Sequence, residues 1–189
     1  MKTVLVVGDS ESGKDDIIEF ILNRGKDVLP DYGYLKFDEY LIKGIYNAYD
    51  KNLKDVKKFQ IDFQKKVTKR FEELSKKHEN IIINAHFFAR VRHGYISLIN
   101  HEMFNTFKPD TIIILELHPK PPDPKFGFIK KRKVDVAALK IEQDIIRCFA
   151  IKYAASSNAL LRVVQVKEDN VNRAFNEVMD VIMFTLGDK

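Results

Sequence analysis

Two rhythms of apolar and polar positions run along this chain, and the changes between them mark its elements. Residues 1–7 form a short apolar run rich in Val and Thr, the pattern of a buried strand. A helical stripe of Ile17, Ile18, Phe20 and Ile21 follows and ends at Asn23-Arg24-Gly25. Residues 34–37 read as a weak second strand. From there Asp38 can cap a short helix to about residue 49, broken by Asp50-Lys51-Asn52. Val56, Phe59, Phe63, Val67, Phe71 and Leu74 recur at intervals of three and four, which predicts one long amphipathic helix with lysines on its outer face. Residues 80–85 are apolar enough for a central strand, residues 96–107 predict a helix, and residues 111–117 are an Ile-rich strand. A helix over 134–157, a strand over 161–166 and a terminal helix over 171–186 complete the pattern. Five strands separated by helices, with no hairpin signal, predict right-handed crossovers and a three-layer α/β domain around a five-stranded parallel sheet.

Composition narrows the class. The 189 residues are 45% hydrophobic and 31% charged, with 8 Gly and 6 Pro, a globular profile that excludes collagen-like and disordered classes. No apolar run approaches the roughly 20 residues of a membrane span and the first residues lack signal-peptide architecture, so a cytoplasmic chain with no membrane partner is expected. The single cysteine, Cys148, allows no intrachain disulfide and is expected as a small packed hydrophobe. Lys+Arg 32 against Asp+Glu 27 gives a net charge of +5, which favours phosphate-bearing partners in general. Residues 118–133 hold four of the six prolines and a Lys130-Lys131-Arg132-Lys133 run, the composition of an exposed excursion.

The chemistry begins where the first strand ends. Gly8-Asp9-Ser10-Glu11-Ser12-Gly13-Lys14 satisfies G-x-x-x-x-G-K between an apolar strand and an amphipathic helix. Glycines let the backbone wrap closely, amide N–H groups face an anion, and the lysine ammonium meets β/γ-phosphate oxygens. The position after the lysine, which usually offers a hydroxyl to Mg²⁺, is Asp15, followed by Asp16. Asp15 is therefore a candidate metal ligand, yet it also places negative charge beside a polyphosphate.

Ligands of open parallel sheets bind beyond the carboxyl ends of strands, so Asn84, His86, Arg90, Arg92 and His93, at and after the third strand, are expected to share a crevice with Lys14. The arginines suit a second phosphate through their planar fork, and Arg132 and Arg147 could reach the same place. His86 and His93 lack partners at metal-ligand spacing.

Taken together, the glycine loop, Asn84-Ala85-His86, Arg90, Gly94-Tyr95, Lys108-Pro109-Asp110 before the Ile-rich strand, and Arg147-Cys148 followed by Tyr153 resemble the archaeal-type adenylate kinases over nearly the whole chain. The resemblance implies a P-loop NTPase fold of the nucleoside monophosphate kinase type, with a monophosphate-binding helical region at about 30–75 and a lid at about 118–133. It implies the reaction ATP + AMP ⇌ 2 ADP, with ATP and Mg²⁺ as cofactors. By that likeness Gly8, Asp9, Ser10, Glu11, Ser12, Gly13, Lys14 and Asp15 bind the donor, while Arg90, Lys57 and His86 bind the acceptor. Lys14, Arg132 and Arg147 are then the catalytic charges, and no protein base is required. The departures are polar and lie on the phosphate or metal side. Asp15 stands for a threonine, Glu11 for a glycine, Asn84 for an aspartate, and Lys57 and Lys130 for arginines, while an arginine is missing around 121–124.

Three readings remain open at this level. The first is a kinase; the second is a nucleotide-binding homologue that acts as a regulatory or assembly ATPase with weak transfer. The third is a basic, RNA-binding ATPase, which only the charge supports; small nucleotides, not nucleic acid, are the expected partners. Relatives that form trimers extend the expectation to a homo-oligomer.

Overall fold

Period-two alternation in β1 (Lys2–Gly8) sends Val4 and Val6 to one face of a sheet and Leu5 and Val7 to the other, and all four are at most 1% exposed. Both faces are therefore covered, as expected for a central parallel strand. The computed structural model describes residues 1–41, 52–118, 135–167 and 170–187. Among these, β2 (Gly33–Lys36), β3 (Asn80–Asn84), β1, β6 (Thr111–Leu117) and β7 (Leu160–Val166) lie in that order in one five-stranded sheet, with every neighbouring pair parallel. The predicted three-layer α/β architecture is what forms.

Helices α1 (Lys14–Arg24) and α5 (Val171–Leu186) cover the Val4/Val6 face through Ile17, Ile18, Ile21, Val178 and Ile182. On the opposite face, α2 (Leu53–Ser75), α3 (His101–Phe107) and α4 (Val136–Ser157) pack Phe63, Phe71, Phe107, Ile146 and Tyr153 against Leu5, Ile83 and Ile114. The stripe read from the sequence of α2 is the one it buries. A helical turn begins at Asp38, but the first helical bond, from Leu41 N at 3.2 Å, is accepted by Phe37 O, so Phe37 and not Asp38 stands in the capping position; the remainder of the helix predicted to about residue 49 lies outside the described residues.

Two expectations are corrected. Residues 96–107 are not one helix, and the chain does contain a hairpin: β4 (Phe88–Val91) pairs antiparallel with β5 (Gly94–Ser97) as a separate two-stranded sheet. Apolar spacing from Ile96 to Phe107 mimics a helix, but Leu98 donates its backbone N–H to Phe87 O at 2.8 Å, which keeps that segment extended. The helix starts only where Asn100 can cap it, accepting from Met103 N at 2.8 Å through Oδ1. Cys148 is exposed, not packed, because Ile146, Ala150 and Tyr153 define the buried side of α4 and Cys148 falls off it.

Asn100 also donates to Gln64 Oε1 at 3.1 Å, tying α3 to α2. Asn100→Ala removes both bonds and is expected to lower stability by about 1–2 kcal/mol. The check is the midpoint of urea unfolding at unchanged slope; an unmoved midpoint would remove Asn100 from the account of why α3 begins there.

Candidate functional site

β1 carries Gly8 to the carboxyl edge of the sheet, and the backbone there has no room for a side chain. A Cβ on Gly8 would lie 2.6 Å from Ser12 Oγ and 2.8 Å from Leu115 O. Ser12 Oγ donates to Asp9 O at 2.8 Å, and Asp9 N donates to Leu115 O at 3.2 Å, so the loop folds back on its own strand neighbour. Asp9, 3% exposed, accepts from Glu11 N at 3.0 Å, Leu117 N at 2.8 Å and Gln143 Nε2 at 2.8 Å. Burial pushes its carboxyl up, and these hydrogen bonds oppose the rise. Asp9 thus braces the loop from beneath.

Gly13 adopts φ 65°, the left-handed conformation that glycine tolerates, and α1 starts immediately after it without a side-chain cap. Its first N–H groups have no partners within the helix and stand at the positive end of its dipole, which is a cradle for an anion. Two internal carboxylates already approach this cradle. Glu142, from α4, accepts from Ser10 N at 3.0 Å and Ser10 Oγ at 2.9 Å. Burial holds the Glu142 carboxyl above its ordinary range, against the pull of the Ser10 bonds.

The second carboxylate is Asp15. Lys14, only 4% exposed, donates to Asp15 Oδ1 at 2.9 Å and to Asn84 Oδ1. Asn84, at the end of β3, donates through Nδ2 to the same Asp15 oxygen at 2.9 Å and to the Tyr34 hydroxyl at 3.1 Å. Lys36, the last residue of β2, approaches Asp15 Oδ2 at 3.3 Å and Glu19 Oε1 at 2.9 Å. Burial raises the Asp15 carboxyl, but the Lys14 charge, with hydrogen bonds involving Asp38, Asn84 and Lys14, outweighs it and keeps the group ionised. Burial pushes the Lys14 ammonium down, and Asp15 opposes that shift. Lys36 moves up, chiefly through its bond to Glu19.

The remaining expected residues divide. His86 reaches this cluster, with Nε2 3.1 Å from Asp38 Oδ1. Arg90 is exposed on β4 and Lys57 is exposed on α2. Arg132, and the lid at 118–133 apart from His118, lie outside the described residues. Arg147 forks onto Glu116: Nε donates to Oε1 and Nη2 to Oε2, each at 2.6 Å, and Gln165 Nε2 donates to Glu116 Oε2 at 2.6 Å. Glu116 is 0% exposed and Arg147 44%, so the pair is half sunk beside the loop.

Mg²⁺ does not fit Asp15 as found here. One Asp15 oxygen serves Lys14 and Asn84 and the other faces Lys36, and a dication would have to displace an ammonium to reach either. Among the described residues no group of three His, Cys, Asp or Glu side chains is placed to hold a metal.

Tyr34, Lys36, Asp38, Glu116, Glu142 and Gln143 were not among the expected site residues. Lys36 follows from the strand-end rule that selected Asn84, and a lone Glu116 in an Ile-rich strand signals a buried charge that needs a partner. Glu142 and Gln143 carry no sequence signal. Beside the loop lies a cavity of about 370 Å³ whose lining includes Ser12, Gly13, Ile17, Leu117, Val166 and Phe175. Its walls are largely apolar and open directly onto the anion cradle.

A phosphate-type glycine loop, a lysine in the first helical turn and a five-stranded parallel sheet define a P-loop fold of the nucleoside monophosphate kinase class. Solved structures agree on the fold. A thymidylate kinase from Candida albicans superposes with TM-score 0.57 at 15% identity, covering 97% of this chain and 91% of its own. A thymidylate kinase from Ehrlichia chaffeensis gives 0.55 at 12% identity, covering 96% and 98%. No protein-family model matches the chain. Among curated proteins, the adenylate kinase of Pyrococcus abyssi is 30% identical over 185 residues, 95% of this chain and 94% of that protein. The adenylate kinase of Thermoplasma volcanium is 23% identical over 188 residues, covering 94% and 98%. The chain belongs to the adenylate kinase family. Among the described residues no helix is long and apolar enough to cross a membrane.

Proposed function

We propose that this protein is a nucleoside monophosphate kinase that transfers the γ-phosphoryl group of ATP to AMP. The observation that carries this reading is Lys14, buried in the first turn of α1 where the glycine loop meets Asn84 at the end of β3, while the 370 Å³ cavity opens beside the same loop at Ser12 and Gly13. The apolar cavity suits the base of the donor, and the loop amides suit its phosphates. In this reading the acceptor region is residues 30–75 with Lys57, to which His86 and Arg90 from beyond β3 add their contacts to the monophosphate, and the role of a lid with Arg132 is assigned to 118–133. Transfer of this kind needs positioning and charge neutralisation more than covalent chemistry, and Lys14, Arg132 and Arg147 supply positive charge. Mg²⁺ would bring further charge neutralisation to the nucleotide's phosphates. The family's trimers make a homo-oligomer part of the reading, checked by light scattering.

One observation favours a second reading, that of a nucleotide-binding homologue with slow turnover: Asp15 and Glu142 already engage Lys14 and Ser10. A coupled assay of ADP formation separates the two. With ATP, Mg²⁺ and each ribonucleoside monophosphate in turn, beside an ATP-only control, the kinase reading predicts ADP release above control and fastest with AMP. Release equal to the control with all four acceptors contradicts it. Arg90→Ala is expected to raise the KM for AMP about tenfold, the worth of one charge-assisted contact, and to leave that for ATP within about twofold. Equal rises for both substrates would take Arg90 out of the acceptor site.

A further inference from the structure

Two ammonium groups converge on one carboxylate at the mouth of the crevice. Lys14 Nζ lies 2.9 Å from Asp15 Oδ1, and Lys36 Nζ lies 3.3 Å from Asp15 Oδ2. The lysines come from different elements, Lys14 from the start of α1 and Lys36 from the end of β2, with Asn84 on β3 between them in the sheet. Lys36 pairs in register with Asn84, and Asn84 with Val6, so the three strand ends that form the crevice floor deliver these groups to one point. Lys14 is 4% exposed and Lys36 19%, which places the charges inside the crevice instead of on a solvated rim.

An anionic group with one oxygen held by an ammonium and an amide and the other facing a second ammonium occupies surroundings that suit the oxygens of a phosphoryl group. We propose that Lys36 is a further substrate-binding residue that shares with Lys14 a single seat for a phosphoryl group of the donor triphosphate, a seat that the Asp15 carboxylate fills until the nucleotide displaces it. This inference rests on the kinase reading and deepens it. It explains how a loop with an aspartate at this position can retain phosphate affinity. The extra negative charge is matched by an extra lysine, and when Asp15 swings away both cations become available to the ligand. The competing role for Lys36 is a strap to Glu19, which is 57% exposed on α1. An exposed pair of that kind contributes little to stability and nothing to phosphate affinity.

The test is displacement of a fluorescent ATP analogue by inorganic tripolyphosphate, measured without metal on folded wild type, Asp15→Asn, Lys36→Met, the double variant, Lys36→Arg and Glu19→Gln. Asp15→Asn is expected to tighten tripolyphosphate about tenfold, because it empties the seat of its internal anion. Adding Lys36→Met to Asp15→Asn is expected to reverse most of that gain, Lys36→Arg to retain wild-type affinity, and Glu19→Gln to change it less than twofold. The proposal is overturned if the double variant binds as tightly as Asp15→Asn alone, or if Glu19→Gln reproduces the loss seen with Lys36→Met. An analogue that binds none of the proteins would overturn the kinase reading itself, whereas binding that ignores Lys36 overturns only its place in the seat.

Discussion

Lys14→Met is expected to lower kcat/KM for phosphoryl transfer by about 10²–10³-fold and to weaken ATP binding. The lysine is the cationic side chain at the junction of the glycine loop and α1, and it is only 4% exposed, so little solvent stands in for its charge once it is removed. Its removal leaves Asp15 paired with Asn84 at 2.9 Å and Lys36 at 3.3 Å, so no buried carboxylate is orphaned and the fold is expected to survive. Thermal unfolding within a few degrees of wild type, alongside the kinetic loss, is the expected combination. Unchanged ATP affinity and turnover would refute the phosphate-loop assignment.

The second large effect is on stability. Arg147→Met strips the fork from Glu116, a carboxylate with no exposure, and leaves it only the Gln165 amide. Breaking a fully buried pair costs about 3–5 kcal/mol. Because Arg147 remains 44% exposed, solvent relieves part of this, and about 2–3 kcal/mol is expected. Urea unfolding of Arg147→Met and of the double variant Arg147→Met/Glu116→Gln checks the cause. The neutral amide should recover more than half of the loss, since it removes the uncompensated charge. An unmoved midpoint in the single variant would mean that the fork to Glu116 contributes nothing to stability, and kcat/KM of the same variant reads the part of Arg147 in transfer separately.

The five parallel strands were legible because each is short, apolar on both faces and set off by a helix or a polar break; β1 and β6 show this most plainly. The α2 stripe was legible for a related reason, as Phe63, Val67 and Phe71 have a single period to satisfy. The β4–β5 hairpin was not, because Phe88 to Ile99 must pack against α2 and α4 as extended chain, and that tertiary demand overrides apolar spacing that looks helical. In the site, the glycine loop was readable from local spacing alone. Asn84 was readable from the strand-end rule. What spacing could not supply was the pairing of charges across elements: Asp15 with Lys36, Glu142 with Ser10, and Glu116 with Arg147 join residues 21, 132 and 31 positions apart. Those pairings decide whether an acidic residue in the loop repels a phosphate or holds its place.

The most direct test is calorimetric titration of ATP into wild-type protein and into Lys14→Met. A saturable, single-site heat is expected for the wild type, and its loss is expected in the variant. A silent wild-type titration, or equal heats for both proteins, would contradict the claim that this loop and its lysine receive a nucleoside triphosphate.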